Sequence, residues 1–552
     1  MFLASFWLRS CMREHEICTD FQIEGILPNR IIDISDPMKP LLREGGNRKE
    51  QYVTLSYMWG TGRKYFTLRE NLDQHTDDGI PLKNLPKTFE EAIFVARFLG
   101  FRWIWIDALC ICQDSPDEVV SEIGRMDQIF RTSTLTIFAA AGQSADAGLE
   151  AMRDPRWVKP CKLKIKTTLE DNTAEGAAYF TLHEKPTKKP LYERGWVLQE
   201  QLMATRGLMF ENRQIRWRCL CGYLSESHPS GEEPPGSHDP EGLTIFRPIH
   251  ERWMNDGFVN KFRRCIQRDD SKLHPDPTRR MDLFDLWFSM AAKYNMRALT
   301  YVTDALPAIA GLARAMAAVH GCTYLAGLWK EDIQRGLCWY VQEAKKPYVQ
   351  KRDATSLPSW SWVSQRGLEV ESFHRAVKPY SSTLKFVEHE GITIEENVVM
   401  PKSTEEVVGP ALDVPRSLTV FGRLRKIDLG LHIPYNYLSP AFGNGLYAQW
   451  ERPLEDMRTG EKLGSIAFDS DPSDFAPSHV YCLLCTVEKG YRYWSLTGLA
   501  LVPTGESMEV FKRIGLARIS KQDFFGDLDK SESEGPNQGR EEQPLRRKLQ
   551  II

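Results

Sequence analysis

Leu85–Leu149 reads LPKTFEEAIFVARFLGFRWIWIDALCICQDSPDEVVSEIGRMDQIFRTSTLTIFAAAGQSADAGL. Two amphipathic patterns alternate here with two short apolar runs, the grammar of helix–strand–helix–strand around a parallel sheet. Thr88 followed by Glu91 has the spacing of a capping box. Phe89, Ala92, Ile93, Ala96 and Leu99 then recur at helical spacing as far as Gly100. Trp103-Ile104-Trp105-Ile106 is apolar on both faces, as a strand covered by helices on both sides should be, and it ends at Asp107. Ser115-Pro116-Asp117-Glu118 opens a second capped helix, with proline at the first helical position where its missing N–H costs little. Val119, Ile123, Met126 and Phe130 mark its apolar face. A second apolar strand covers Leu135 to Ala140 and stops near Gly142.

Upstream, Tyr52–Tyr57 (YVTLSY) reads as a strand of β-branched and aromatic residues running into Met58-Trp59-Gly60-Thr61-Gly62. A strand followed by a glycine-containing turn is where open α/β sheets bind ligands. Neither GxGxxG nor GxxxxGK[ST] occurs there, so it is no phosphate-binding fingerprint. Residues 61–84 read as a loop over that edge, and Ile31, Ile32 and Ile34 as a short strand within an N-terminal extension, 1–51. Downstream, the basic, irregular residues 150–190 read as an insertion or lid. In Pro190–Leu202 (PLYERGWVLQEQL), Trp196, Gln199, Glu200 and Met203 share one face of a short helix. Gly207–Phe210 and Gln214–Cys219 read as paired strands around Glu211-Asn212-Arg213.

The chain has 552 residues, too many for one ordinary core. The module at 52–223, with core motifs over 52–201, is followed by a Pro-, Gly- and acid-rich linker at 224–245. A helical region (246–345) follows, with helices at Met281–Ala292, Asp304–His320 and Tyr324–Tyr340. A β-rich region spans 346–525, with strands at Leu418–Leu424, His479–Val487, Gly498–Val502 and Arg513–Ile519. Pro358-Ser359-Trp360-Ser361-Trp362 reads as an aromatic turn, and residues 526–552 as a disordered tail. Net charge is −3, without the basic stripe of a nucleic-acid binder. No run of 18 apolar residues occurs and the N-terminus is a poor signal peptide, so a cytoplasmic protein without a membrane span is expected. The 12 cysteines are scattered, as reduced thiols would be. Cys11, His15 and Cys18 cluster, but no fourth ligand lies nearby in sequence, so burial is preferred to metal binding. Cys219 with Cys221 and Cys482 with Cys485 make a four-thiolate site only if distant segments meet. The sequence-level expectation is therefore no metal.

Four motifs carry a family resemblance. Tyr52–Gly60 (YVTLSYMWG), Leu85–Thr88 (LPKT), Trp105–Asp114 (WIDALCICQD) and Arg194–Glu200 (RGWVLQE) resemble, in order, the signatures of the fungal heterokaryon incompatibility (HET) domain. Leu299–Tyr301, Asp304–Ala308, Tyr324–Trp329 and Pro358–Trp362 resemble the region that often follows it in large fungal members. Val119 and Met58 depart from the usual residues, tryptophan at the first and cysteine or valine at the second. The resemblance implies an effector of non-self recognition and programmed cell death. It also implies likeness to Toll/interleukin-1 receptor (TIR) domains, with a flavodoxin-like parallel sheet and flanking helices.

Some TIR-like domains cleave NAD at its glycosidic bond, so the resemblance makes NAD a candidate substrate and names no certain cofactor. By element order it makes Glu200 the catalytic carboxylate. Ser56, Tyr57, Trp59, Gly60, Asp107 and Trp196 form the NAD pocket, with Val197 where the related motif has cysteine. An i, i+4 pair shares a helix face, so Trp196 can wall a pocket that Glu200 enters. A carboxylate beside the breaking bond would stabilise oxocarbenium-like charge. Competing readings remain. Glu200 can be a helix-face ion-pair residue, Asp107 an acceptor for backbone N–H groups, and the tryptophans core aromatics. Glu122 is a rival carboxylate. Cys110 and Cys112 lack a partner histidine, which argues against a cysteine nucleophile. At the level of function, the alternative to an NAD-cleaving effector is a non-enzymatic module acting through self-association and contact with another signalling protein. A metabolic enzyme is a weaker third reading, because fold alone does not establish function.

Overall fold

The five residues Tyr52–Ser56 are buried on both faces and form the centre of an eight-stranded sheet in the computed structural model. Residues 1–230 are described apart from 23–25, 61–64, 150–157, 160, 170–171, 181–188 and 228; beyond them come 262–263, 265–266, 277–343, 357–365 and the strands and turns named below as far as 552. The chain divides into two units, each considered by itself. The first draws on residues 1–269, 307–315 and 407–410, the second on 270–306, 316–406 and 411–552.

The strands of the first unit are β1 (Arg30–Asp33), β2 (Leu41–Glu44), β3 (Tyr52–Ser56), β4 (Trp103–Trp105), β5 (Leu135–Phe138), β6 (Cys161–Leu169), β7 (Asn172–Phe180), β8 (Gly207–Phe210), β9 (Ile215–Arg218) and β10 (Tyr223–Ser225). The main sheet runs β10-β9-β8-β5-β3-β4-β1-β2. β3 is parallel to β4 and β5, and β5 to β8, while the outer pairs are antiparallel. Numbered along the chain, the four parallel strands therefore lie in the order 2-1-3-4. The chain crosses to opposite sides of β3, which puts the switch point between β3 and β5. β6 and β7 form a separate hairpin inside the stretch read as an insertion. Residues 30–44, read from sequence as part of an extension, supply two strands to the main sheet.

The helices of this unit are α1 (Phe2–Glu14), α2 (Glu16–Phe21), α3 (Lys87–Phe98), α4 (Asp107–Cys110), α5 (Pro116–Thr132) and α6 (Gly195–Met203). α3 and α5 cover the runs with helical periodicity, but neither capping box forms. Gly148 N donates to Thr88 Oγ1 at 3.0 Å, and Leu149 N donates to Glu91. Ser115 precedes α5 without a side-chain cap, and its Oγ accepts from Arg69 at 3.3 Å. Glu118 accepts from Arg30 and, at 2.8 Å, from Cys112 N. In each case a tertiary donor outcompetes the helix's own first-turn N–H groups. The buried face of α5 also differs from the expected stripe. Glu122 and Asp127 are buried beside Met126, Ile129 and Phe130. β4 stops at Trp105 and β5 at Phe138, one and two residues short of the expected strands.

Further along, α7 (Pro277–Asn295) and α8 (Pro307–His320) bear out two helical runs. Tyr324–Tyr340 is not a helix. It forms a hairpin of β11 (Tyr324–Leu325) and β12 (Leu328–Trp329), one helical turn at Ile333–Gly336, and the start of β13 (Trp339–Glu343). The hairpin turns through Ala326 and Gly327, both at positive φ, which breaks the periodicity. Trp287 and Trp362 each donate an indole N–H to Gly327 O at 2.8 Å, so the aromatic turn closes onto it. The β-rich region contains a closed ring. Strands 479–489, 418–428, 545–551, 510–519 and 494–503 each pair with the next, and the last pairs with the first. Closure removes free strand edges. It also corrects the expected tail: Leu545–Ile551 is a strand, with Leu549 and Ile551 buried at period two among charged neighbours. Residues 526–544 and most of the 224–245 linker lie outside the described residues.

Candidate functional site

β3 delivers Ser56 and Tyr57 to the carboxyl end of the parallel strands, beside the switch point, where such sheets form their ligand crevice. Tyr57 is buried and its ring packs edge-on against Phe89 at 4.9 Å. Its hydroxyl lies close to the Asp107 carboxylate. Burial, then the negative charge of Asp107, hold the phenol well above its ordinary value of 10.0, so Tyr57 donates as a neutral group. Asp107 opens α4 directly after β4. Its Oδ2 accepts from Trp59 Nε1 at 2.9 Å and its Oδ1 from Ala108 N at 2.7 Å. Asp107 thus fixes Trp59, and it also fills the backbone-acceptor role weighed for it from sequence. The Trp59 ring leans on Phe66 at 5.1 Å. Gly60 sits at φ +69, and a Cβ there would run into Ser144.

Glu200 enters from α6. It is 5% exposed, so it is not a solvent-facing helix residue. Its charge acts on the Tyr57 hydroxyl, as does that of Arg194 at the amino end of the same helix. Arg194 also donates to Tyr57 O. Trp196, half-buried, lies one turn before Glu200 on α6. The Ser56 hydroxyl is buried without a hydrogen-bond partner. A buried hydroxyl without a partner is costly, and here it lies at the strand ends where a ligand or water would satisfy it. The structure therefore gathers Tyr57, Trp59, Asp107 and Glu200, with Ser56 and Gly60 on the same strand–turn segment.

Arg194 was not singled out as a site residue in the sequence. Its motif position before Gly195-Trp196 was visible, but its bond to a strand-end carbonyl 137 residues away was not. Glu122, the rival carboxylate, belongs to a different environment. It is 2% exposed and accepts from Asn29, and burial raises its pKa above the ordinary value. Burial likewise raises the Cys110 thiol, which weakens any nucleophile reading.

The cysteine reading needs correction. Cys219, immediately after β9, lies against His15, with 3.5 Å between Cys219 Sγ and His15 Nδ1. Cys11, His15, Cys18 and Cys219 bring one ligand atom each within 4.8 Å of one another. The fourth ligand missing from the local sequence is supplied across 204 residues. Cys482 and Cys485 lie on strand 479–489 of the second unit.

Residues 52–200 match the family model described as Heterokaryon incompatibility protein (HET). The matched span opens on the first residue of β3 and closes on Glu200, so the stretch that is similar to this family encloses the whole strand-end cluster. No curated protein and no solved structure gives a significant match. No described helix is long and apolar enough to cross a membrane.

Proposed function

We propose that the chain is an effector of fungal non-self recognition whose strand-end cluster hydrolyses NAD at the ribosyl–nicotinamide bond, with Glu200 as the catalytic carboxylate. The observation that carries this reading is the burial of Glu200 in one cluster with Tyr57, Arg194 and Asp107, near the unpartnered Ser56 hydroxyl. The 2-1-3-4 order of the parallel strands supports the flavodoxin-like, TIR-like assignment. In the reaction the C1′–N bond breaks and its electron pair leaves with nicotinamide, which departs neutral. Positive charge spreads over C1′ and the ring oxygen. A buried carboxylate stabilises that charge more strongly than one in water. Water then adds to C1′ and loses a proton, giving ADP-ribose. Ser56 would bind a ribose hydroxyl, Asp107 would position Tyr57 and Trp59, and Trp196 would wall the pocket.

A second reading, an assembly module located in the cytoplasm and acting through self-association and contact with another signalling protein, has its own observation. Phe2 (85% exposed), Phe6 (62%) and Phe94 (63%) lie on α1 and α3, where Phe2 meets Phe98 at 5.5 Å between ring centroids. An exposed aromatic patch of this kind suits a protein interface. The test is nicotinamide release by the full chain over a concentration series, wild type beside Glu200→Gln. NAD hydrolysis predicts activity in the wild type and a loss of about 100-fold or more in the variant. Concentration-dependent assembly with no nicotinamide from either protein supports the second reading instead.

A further inference from the structure

Four metal-ligand side chains converge outside the strand-end cluster. Cys11 lies in the last turn of α1, His15 at its carboxyl end, Cys18 in α2, and Cys219 in the turn joining β9 to β10. In a tetrahedral site with Zn–S of about 2.3 Å and Zn–N of about 2.0 Å, sulfurs lie about 3.8 Å apart and sulfur and nitrogen about 3.5 Å apart. His15 Nδ1 is 3.5 Å from Cys219 Sγ and 4.0 Å from Cys18 Sγ. We propose that Cys11, His15, Cys18 and Cys219 bind a structural zinc ion that clamps the α1–α2 pair to the β9–β10 turn.

The surroundings fit such a site better than four ordinary buried side chains. Zinc with three thiolates and a neutral imidazole carries a charge of −1. Arg206 is 1% exposed, and its Nε donates to Cys11 Sγ at 3.2 Å. Its Nη1 group donates to the Gln22 side-chain carbonyl and to Thr134 O, both neutral. A buried guanidinium calls for a negative partner, and a zinc-bound Cys11 thiolate provides it. Cys11, Cys18 and Cys219 are buried, and His15 is half-buried, as a closed structural site requires.

Cys221 is the neighbouring alternative. Its sulfur lies 3.8 Å from that of Cys18, too far for the roughly 2.05 Å of a disulfide, but it is exposed and does not belong to the group whose ligand atoms all lie within 4.8 Å of one another. The geometry assigns it outside the four-ligand set. The clamp also has a consequence for the module. All four ligands lie outside residues 52–200. The clamp ties together the segments on either side of the matched span, so a fragment starting at residue 52 would lose three of the four.

The test uses the full chain, purified under reducing conditions and assayed for zinc by elemental analysis. Metal-stripped protein is then titrated with cobalt(II). The proposal predicts about one zinc per chain. It also predicts the intense visible bands and thiolate charge-transfer absorption of tetrahedral cobalt bound to three sulfurs and one nitrogen. Cys219→Ser should weaken metal retention at least 10-fold, whereas Cys221→Ser should leave it unchanged. Wild-type protein without zinc and without a tetrahedral cobalt spectrum would overturn the proposal. So would a Cys18–Cys221 disulfide in place of metal, or retention lost in Cys221→Ser but kept in Cys219→Ser. If Cys219→Ser fails to fold, the wild-type cobalt spectrum and the Cys221→Ser variant decide.

Discussion

Tyr57, Trp59 and Asp107 illustrate what single residues disclose. Aromatic and acidic side chains at the ends of buried strands pointed to the carboxyl edge of a parallel sheet, and there Trp59 donates to Asp107 beside the buried Tyr57 hydroxyl. Arg194 and the unpartnered Ser56 hydroxyl were illegible as such, because both depend on which distant backbone or side chain arrives. Gly60 gives a direct test at this scale. Its positive φ and its contact with Ser144 leave no room for a side chain, so Gly60→Ala should destabilise the first unit by about 1–3 kcal/mol in denaturant melts. Glu122 gives a pH test. Burial raises its folded pKa above 4.5, so its contribution to stability is full below pH 4.5 and is lost as pH rises through the folded value. Glu122→Gln keeps an acceptor for Asn29 and removes that loss. Its stability should therefore decline less than that of wild type as pH rises above 4.5, and a parallel decline in the two proteins would contradict the assignment.

Elements were legible where one physical signal dominated. The fully buried β3, β4 and β5 and the periodic α3 and α5 stand where the pattern put them, because burial on both faces or on one stripe leaves little choice. The capping boxes failed for a tertiary reason, since Thr88 and Glu91 instead hold the N–H groups of Gly148 and Leu149. Glu122 and Asp127 on the buried face of α5 were equally hidden. Asp127 is covered by α8, whose Arg314 reaches Asp127 Oδ1 at 2.7 Å and Gly124 O at 2.7 Å. Gly311 of α8 donates its N–H to Gln199 of α6 at 3.0 Å, and a Cβ there would run into both Asp127 and Gln199. Gly311→Ala should lower stability by about 1–3 kcal/mol, read by urea unfolding, through loss of this close helix approach. A neutral result would mean that the three helices can separate freely.

At the scale of the whole molecule, composition and motif order pointed to a module with appended regions, but not to how a late segment returns. The strand Leu545–Ile551 was masked by its charged neighbours, and only ring closure gives it a partner on each side. Arg513 holds that second unit together. It is 2% exposed, donates to Asp469 at 3.0 and 3.2 Å and to Trp339 O at 2.6 Å, and lies over the Trp339 ring at 3.4 Å. Arg513→Ala strands the buried Asp469 carboxylate and should cost about 3–5 kcal/mol in the unfolding transition of that unit. The metal cluster was likewise out of reach of local spacing, since its fourth ligand comes from beyond α6. The most direct measurement is the cellular NAD pool, followed beside growth, in a fungal host expressing the full chain or its Glu200→Gln variant at equal abundance. If Glu200 hydrolyses NAD, the wild type lowers NAD before growth arrests, and the variant does neither. Arrest by both proteins with NAD unchanged would contradict that reading.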